Sequence, residues 1–285
     1  MQRNDRSAMV RFAALICVQL MTALLVWQAL GSPWLVPAMA LHGFVLVHLF
    51  ALLHEAAHMT AFKTRHLNTW AGWYCGLMIN LGPKYFQFEH TQHHTYTQNL
   101  VKDPQHIVLP RSLTAYCFYL SGLPYWYYQF KSLFLHAANS IPEKEKQFIP
   151  ATVRPEIVRE ARIITAVYLL VAVLAIVNGW LWPLYLWVVP LLLGEPAMRF
   201  IRMTEHVGMP MTPNLRHNTR TNHVAWPFQI LCWNMNYHAE HHFAPSVPFH
   251  ALPALNRRIG NALPETAGYF AAHRQIRRML ADQVS

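Results

Sequence analysis

The sequence predicts an all-α integral membrane protein: four transmembrane helices in two hairpins, with interfacial helices and a histidine-rich cap on the cytosolic side. Three observations carry this. Of 285 residues, 54% are hydrophobic and only 13% charged, where an ordinary soluble domain carries about 25% charged residues. Four apolar stretches approach the ~20 residues needed to cross ~30 Å of hydrocarbon. The 18 histidines outnumber the 13 acidic residues, and most of them cluster beside those stretches.

The first span is expected at 12–30. The basic N-terminus before it resembles a leader peptide, but no small-residue cleavage pattern follows, so the run is read as an uncleaved span. The second is expected at 34–53, across a tight turn at Gly31-Ser32-Pro33. A second pair is expected at 163–180 and 181–201, joined around Gly179 with Trp180, Trp182 and Pro183 beside it, as in the aromatic belt of a membrane interface. The last of these takes in Glu195, Pro196 and Arg199.

The two short turns carry no Lys or Arg. Of the 23 basic residues, three precede Phe12, eleven lie between Leu53 and Ile163, and nine run from Arg199 onward. The positive-inside rule therefore puts both termini and the regions 54–162 and 202–285 in the cytosol, within a single domain over 1–285. The apolar stretch 113–134 is broken by Ser121-Gly122 and Pro124. One more crossing would separate the two histidine-rich regions, so it reads as re-entrant or interfacial. Stretches 68–82 and 224–236 read as interfacial too. The basic tail after 251 is helical near 269–281, a solvated helix beside anionic lipid.

The net charge of +10 raises nucleic acid as a partner. The basic residues form no stripe interleaved with aromatics, however, and membrane topology explains them better. Cys17, Cys75, Cys117 and Cys232 form no CxxC pair and read as buried apolar thiols.

The histidines carry the chemistry. His54 and His58, in His-Glu-Ala-Ala-His, share one helical face directly after the second span. His90, His93 and His94 form an HxxHH box with i, i+3, i+4 spacing, and His238, His241 and His242 repeat it far away in the chain. Neutral imidazole suits Zn, Fe, Cu and Ni. Four groups saturate one tetrahedral zinc, so eight clustered histidines suit two metal ions with open positions. His206, just past the fourth span, is a ninth candidate. Glu55, Glu89, Glu205 and Glu240 adjoin the clusters, where carboxylates commonly orient ligating imidazoles. His42 and His48 lie inside the second span, where packing or interhelical hydrogen bonding is the default. His66, His106, His136, His250 and His273 have no partner pattern, and no role is assigned to His217 or His223.

This pattern resembles the membrane fatty acid desaturase superfamily, which includes hydroxylases and ketolases. The matching stretches are HEAAH at 54–58, EHTQHHTYTQNLVKDP at 89–104, NYHAEHHFAPSVPFHALP at 236–253 and the Glu205-His206 pair, so the resemblance covers about 35 to 260. It implies two iron(II) ions held by His54, His58, His90, His93, His94, His206, His238, His241 and His242, with O2 as co-substrate. It implies desaturation of an acyl chain or lipid-like substrate at the bilayer, or hydroxylation, ketone formation or oxidative decarboxylation on the same scaffold. Electrons are expected from a separate ferredoxin, rubredoxin or cytochrome-type protein. Some family members also hold iron through a water on an Asn one turn before the extra histidine; here that position is Arg202.

Two rivals come from other classes. An intramembrane zinc protease would use His54, Glu55 and His58. It needs a further ligand, often an Asp in a later span, and Asp5, Asp103 and Asp282 are expected outside the spans. A metal carrier would place its site near the bilayer midplane, whereas these clusters fall outside the spans.

Overall fold

The computed structural model describes residues 2–282. Helix α1 (Asp5–Gln28) and the pair α2 (Leu35–Val47) and α3 (Leu49–Ala57) form the first hairpin. The second consists of α8 (Arg154–Asn178), a π-helical turn at Leu184–Val188 and α9 (Val189–His206). Among the described residues, four helices are long and apolar enough to cross a membrane: Asp5–Gln28, Leu35–Ala57, Arg154–Asn178 and Leu184–His206. Gly31 and Gly179 close the two turns with positive φ, +74° and +65°, which glycine adopts without steric cost.

The helices overrun the apolar stretches on the histidine side. The second carries on through His54, the third starts at Arg154, and the fourth ends at His206. Their apolar surfaces face outward, as Leu20, Met21, Leu169 and Ile176 show, while polar extensions pack against the cap. Two of the four thiols depart from the buried reading. Cys75 and Cys232 are buried, but Cys17 and Cys117 are exposed, because each lies on the outward face of its helix.

The two hairpins meet where α2 crosses α9. A Cβ on Gly43 would lie 1.8 Å from the Pro190 carbonyl oxygen, and one on Gly194 would lie 2.2 Å from that of Gly43. Only hydrogen fits at either position, which lets the two backbones touch. His42 joins three spans. Its Nε2 donates to Leu186 O (3.1 Å) and its Nδ1 accepts from the Thr22 hydroxyl (2.8 Å). His48 bonds Phe44 O within its own helix (2.7 Å). Both therefore serve packing.

Helices α4 (Arg65–Ile79) and α5 (Pro83–Tyr96) form a hairpin whose tip is not simply interfacial. The Leu77 carbonyl accepts from Tyr168 (2.6 Å) and the Met78 carbonyl from Trp187 Nε1 (2.7 Å), both side chains of the second hairpin's spans. These donors satisfy carbonyls that end α4 in an apolar setting. Asn80 turns the chain with φ +57°. Glu160 of α8 caps the start of α5, accepting from the backbone of Lys84 (2.7 Å) and Tyr85 (3.1 Å).

Stretch 113–134 becomes α6 (Leu113–Leu120) and α7 (Leu123–Ala137), broken at Gly122. Beyond α9 come α10 (Trp226–Leu231), α11 (His238–Phe243), α12 (Leu252–Ile259) and α13 (Tyr269–Asp282), with a two-residue parallel pairing of Thr221–Asn222 and Glu265–Thr266. Helix α13 differs from the solvated helix expected. It buries Ala272, His273 and Ile276, and His273 bonds the Tyr116 hydroxyl (2.9 Å) and Phe200 O (2.8 Å). Its apolar stripe packs on the end of α9.

A substitution at the crossing tests this packing. Gly43→Ala is expected to destabilise the protein by about 2 kcal/mol or more through overpacking, read as a lowered thermal midpoint in detergent. Leu41→Ala, on the outward face of the same helix, is expected to change it little.

Candidate metal centre

Four local features deliver histidines to one place. Helix α3 stops just after its box. Met59 takes φ +57°, and the Thr60 N–H donates to Glu55 O (3.0 Å), leaving His58 at the helix end. Helix α5 presents its HxxHH box in its last two turns, and α11 is little more than the other box. His206 closes α9.

The nine histidines fall into two groups. In each, the candidate donor atoms lie within 4.8 Å of one another: His54, His58, His90, His94 and His241 in the first, and His93, His206, His238 and His242 in the second. The HxxHH spacing now has a physical meaning. In α5 the i, i+4 pair His90 and His94 joins the first group, while His93 joins the second. In α11 the i, i+4 pair His238 and His242 joins the second, while His241 crosses to the first. Each box straddles both groups, and rings of His94 and His242 stack between them at 4.1 Å.

The tautomers follow from what the outer nitrogens meet. His93 Nδ1 faces Asp103 Oδ1 (2.8 Å), and His206 Nδ1 faces Asn218 O (3.1 Å). His90 Nδ1 faces Gln105 Oε1 (3.1 Å), an oxygen that also accepts from Arg202 (3.2 Å). His242 Nδ1 faces Thr97 Oγ1 (3.3 Å), whose own hydrogen goes to His93 O (2.7 Å). All these partners accept, so the rings donate from Nδ1 and keep a lone pair on Nε2.

Those Nε2 atoms point at one another. His94 Nε2 lies 3.0 Å from that of His90 and 3.1 Å from that of His241. His238 Nε2 lies 3.1 Å from those of both His206 and His242. One N–H on His238 can serve only one of its two neighbours, so lone pairs are left facing each other in a buried space. Burial, then the neighbouring imidazoles, hold His90, His94, His238, His241 and His242 well below the usual histidine range, and His58 down to about 4. The rings are neutral at pH 7. A set of converging neutral imidazole nitrogens is a fitting donor set for two transition-metal ions.

The four neighbouring glutamates take different parts. Glu55 accepts from Thr60 Oγ1 (2.8 Å) and the Phe249 N–H (3.2 Å), and its other oxygen lies 3.9 Å from His241 Nδ1. Glu89 accepts from Tyr85 (3.0 Å) and from Gln105 Nε2 (3.0 Å), thereby fixing the amide that meets His90. Burial pushes its carboxyl up to about 7. Glu240 turns away from the rings toward Thr221 and Asn256, so it anchors the fold of α11 and orients no imidazole. Glu205 pairs with Arg202 at 2.5 Å.

Asp103, Gln105, Thr97 and Asn218 escaped the residue-by-residue reading. Three of them sit in the loop after α5, which folds back so that Asp103 also accepts from the backbone of Gln98 (2.9 Å) and Gln105 (2.9 Å). The available signal was Asp103 in the TYTQNLVKDP run behind the second box. His66, His106, His136, His217, His223, His250 and His273 lie outside both groups.

A buried pair of histidine clusters at the end of four apolar helices defines a class: membrane proteins with a histidine-rich site that could hold metal ions. The fatty acid desaturase family model matches residues 31–273, and the chain belongs to this family. It is an oxidoreductase. It is also similar to the sphingolipid delta(4)-desaturase DES1-like of Oryza sativa subsp. japonica, with 25% identity over 257 residues, covering 86% of this chain and 70% of that protein. The zinc-protease reading falls here. His54 and His58 share their pocket with three further imidazoles, and Glu55 is held by Thr60 and Phe249.

Asp103→Asn removes the anion behind His93 while keeping its shape. Titration of the purified protein with iron(II) is expected to show affinity lowered about 10–100-fold, with membrane insertion intact.

Proposed function

We propose that this protein is an O2-dependent di-iron oxidoreductase that desaturates an acyl chain or lipid-like substrate at the membrane. The observation that supports it most is the convergence of inward-facing Nε2 atoms from four segments of the chain into two adjoining groups. His54, His58, His90, His94 and His241 would hold one ion, and His93, His206, His238 and His242 the other. Such a pair, when bound, supplies the one-electron and O2 chemistry needed to remove hydrogen from an unactivated C–H bond.

The chain's own residues do the rest. Asp103, Gln105 and Asn218 hold protons at Nδ1 and keep Nε2 free. Buried Phe86 stacks on His90 (5.1 Å) and Phe50 lies beside His54 (6.1 Å), setting apolar surface against the first group. A void of about 20 Å³ touches His54 of the first group and His238 of the second, between Phe50, Met198 and Met235. That is room for about one water-sized group, so at most a single carbon of a substrate would reach between the two groups there. The family acts on lipid substrates in membranes, and a simple acyl or amphiphilic substrate is the one proposed for this chain.

The hairpins open on the same side as the start of α1. Asp5 there caps Thr64 (2.9 Å), and Arg11 donates to Gln229 O (2.8 Å). With the basic residues on this side, the positive-inside rule puts both termini and the site at the cytoplasmic face. An acidic ferredoxin, rubredoxin or cytochrome-type donor fits that surface by charge.

The test is lipid and metabolite profiling of cells expressing the wild type or His93→Ala. The expected result is a product lacking two hydrogens, present with the wild type and absent with the variant, while both insert equally. A product that gains oxygen selects hydroxylation or ketone formation, and one that loses its carboxyl carbon selects decarboxylation. Identical profiles for wild type, variant and empty vector contradict the reading.

A further inference from the structure

We infer that Glu205 is itself a metal ligand, giving the four-histidine group a carboxylate oxygen as its fifth donor. This rests on the two-ion reading above. The two groups are unequal: one offers five imidazoles and the other four. The buried Glu205 Oε2 lies 3.6 Å from His238 Nε2.

Which nitrogen it approaches decides its part. A carboxylate that orients a ligating imidazole bonds the ring nitrogen facing away from the metal. Asp103 does so at His93, Gln105 at His90, and Asn218 at His206, each at Nδ1; Glu55 also lies on the Nδ1 side of His241. Glu205 instead approaches Nε2, the nitrogen turned into the group. The Nδ1 of His238 is buried and has no partner, so Glu205 does nothing to orient that ring.

Around His238 the distances fit a shared ion, although Glu205 Oε2 does not lie within 4.8 Å of all four histidine donors, so its side chain would turn slightly as an ion binds. Donor atoms about 2.0–2.2 Å from one ion stand roughly 3–3.6 Å apart, depending on geometry. At His238 Nε2 the neighbours are His206 Nε2 at 3.1 Å, His242 Nε2 at 3.1 Å and Glu205 Oε2 at 3.6 Å. Glu205 therefore completes a third edge at the same vertex. It also borders the void that reaches His54 of the other group.

An imidazole ligand cancels none of a divalent ion's charge, whereas Glu205 brings a carboxylate oxygen within reach of His238 Nε2. Its charge is already balanced by Arg202, so it would act as a local oxygen donor and not as net charge compensation. Arg202 holds it there at 2.5 Å, and its other arm fixes Gln105 behind His90.

The probe is cobalt(II), titrated into the full chain in detergent, with bound metal per chain and the visible ligand-field spectrum as readouts. Wild type is expected to take up two cobalt ions. Glu205→Gln is expected to weaken one of the two sites by about 100-fold or more and to change the spectrum of that site. Arg202→Met leaves the carboxylate but frees it and Gln105, so it is expected to weaken binding less than Glu205→Gln and to keep the wild-type spectrum of the four-histidine site once both ions are bound. Should Glu205→Gln fold poorly, the Arg202→Met/Glu205→Gln double variant removes the unpaired buried charge, and loss of one site is still expected. Two sites of wild-type affinity and spectrum in either Gln variant overturn Glu205 as a ligand. So does equal loss in Arg202→Met, which would make the ion pair merely structural. A wild type that binds fewer than two cobalt ions overturns the two-ion reading and this ligand with it.

Discussion

The structure depends on one electrostatic constraint: imidazole lone pairs held about 3 Å apart in a buried space. His90, His206 and His242 each give up their N–H to an outer acceptor and present a bare Nε2 inward. Facing lone pairs repel, so only a rigid surround can hold them until cations bind. Each outer acceptor is itself pinned. Asp103 is tied to the backbone of its own loop, Gln105 is gripped by Arg202 and Glu89, and Thr97 is committed to a helix carbonyl. The site is thus preorganised from the outside inward.

The membrane hairpins supply the rigidity. The glycine contact between α2 and α9 sets the separation of the second and fourth spans, whose cap-side ends carry His54 on α3 and His206 on α9. The tip of the α4–α5 hairpin is anchored by Tyr168 and Trp187, which fixes where the second box lies relative to the second hairpin. Gln98 then reaches from the loop after α5 to His206 O (2.6 Å), and Asn222 binds the short strand to the start of α11 through Asn236 (2.8 Å). Packing in the bilayer is converted into ring positions in the cap.

Much of this was legible in the sequence. Four apolar runs with charge-free turns gave the two hairpins, and the three boxes with His206 gave all nine clustered rings. What was hidden depends on how separate segments approach. No spacing rule says that His93 leaves its own box for the group containing His238, because that exchange requires α5 and α11 to face each other. Asp103 and Gln105 act through a loop whose fold-back is set by backbone hydrogen bonds. The four glutamates looked equivalent beside their boxes, yet Glu240 turns outward and Glu205 inward, a difference fixed by Asn256, Thr221 and Arg202 rather than by position in a motif. The tail helix was read from its charges, whereas its burial depends on Tyr116 and Phe200, far away in the chain.

The central claim is that these nine rings surround two metal ions in one chain. Its most direct test is iron analysis of the purified full-length protein combined with X-ray absorption at the iron K-edge. The account expects two irons per chain in a nitrogen-dominated shell with the outer scattering typical of imidazole. One iron or none after reconstitution, or a shell without imidazole, would contradict it.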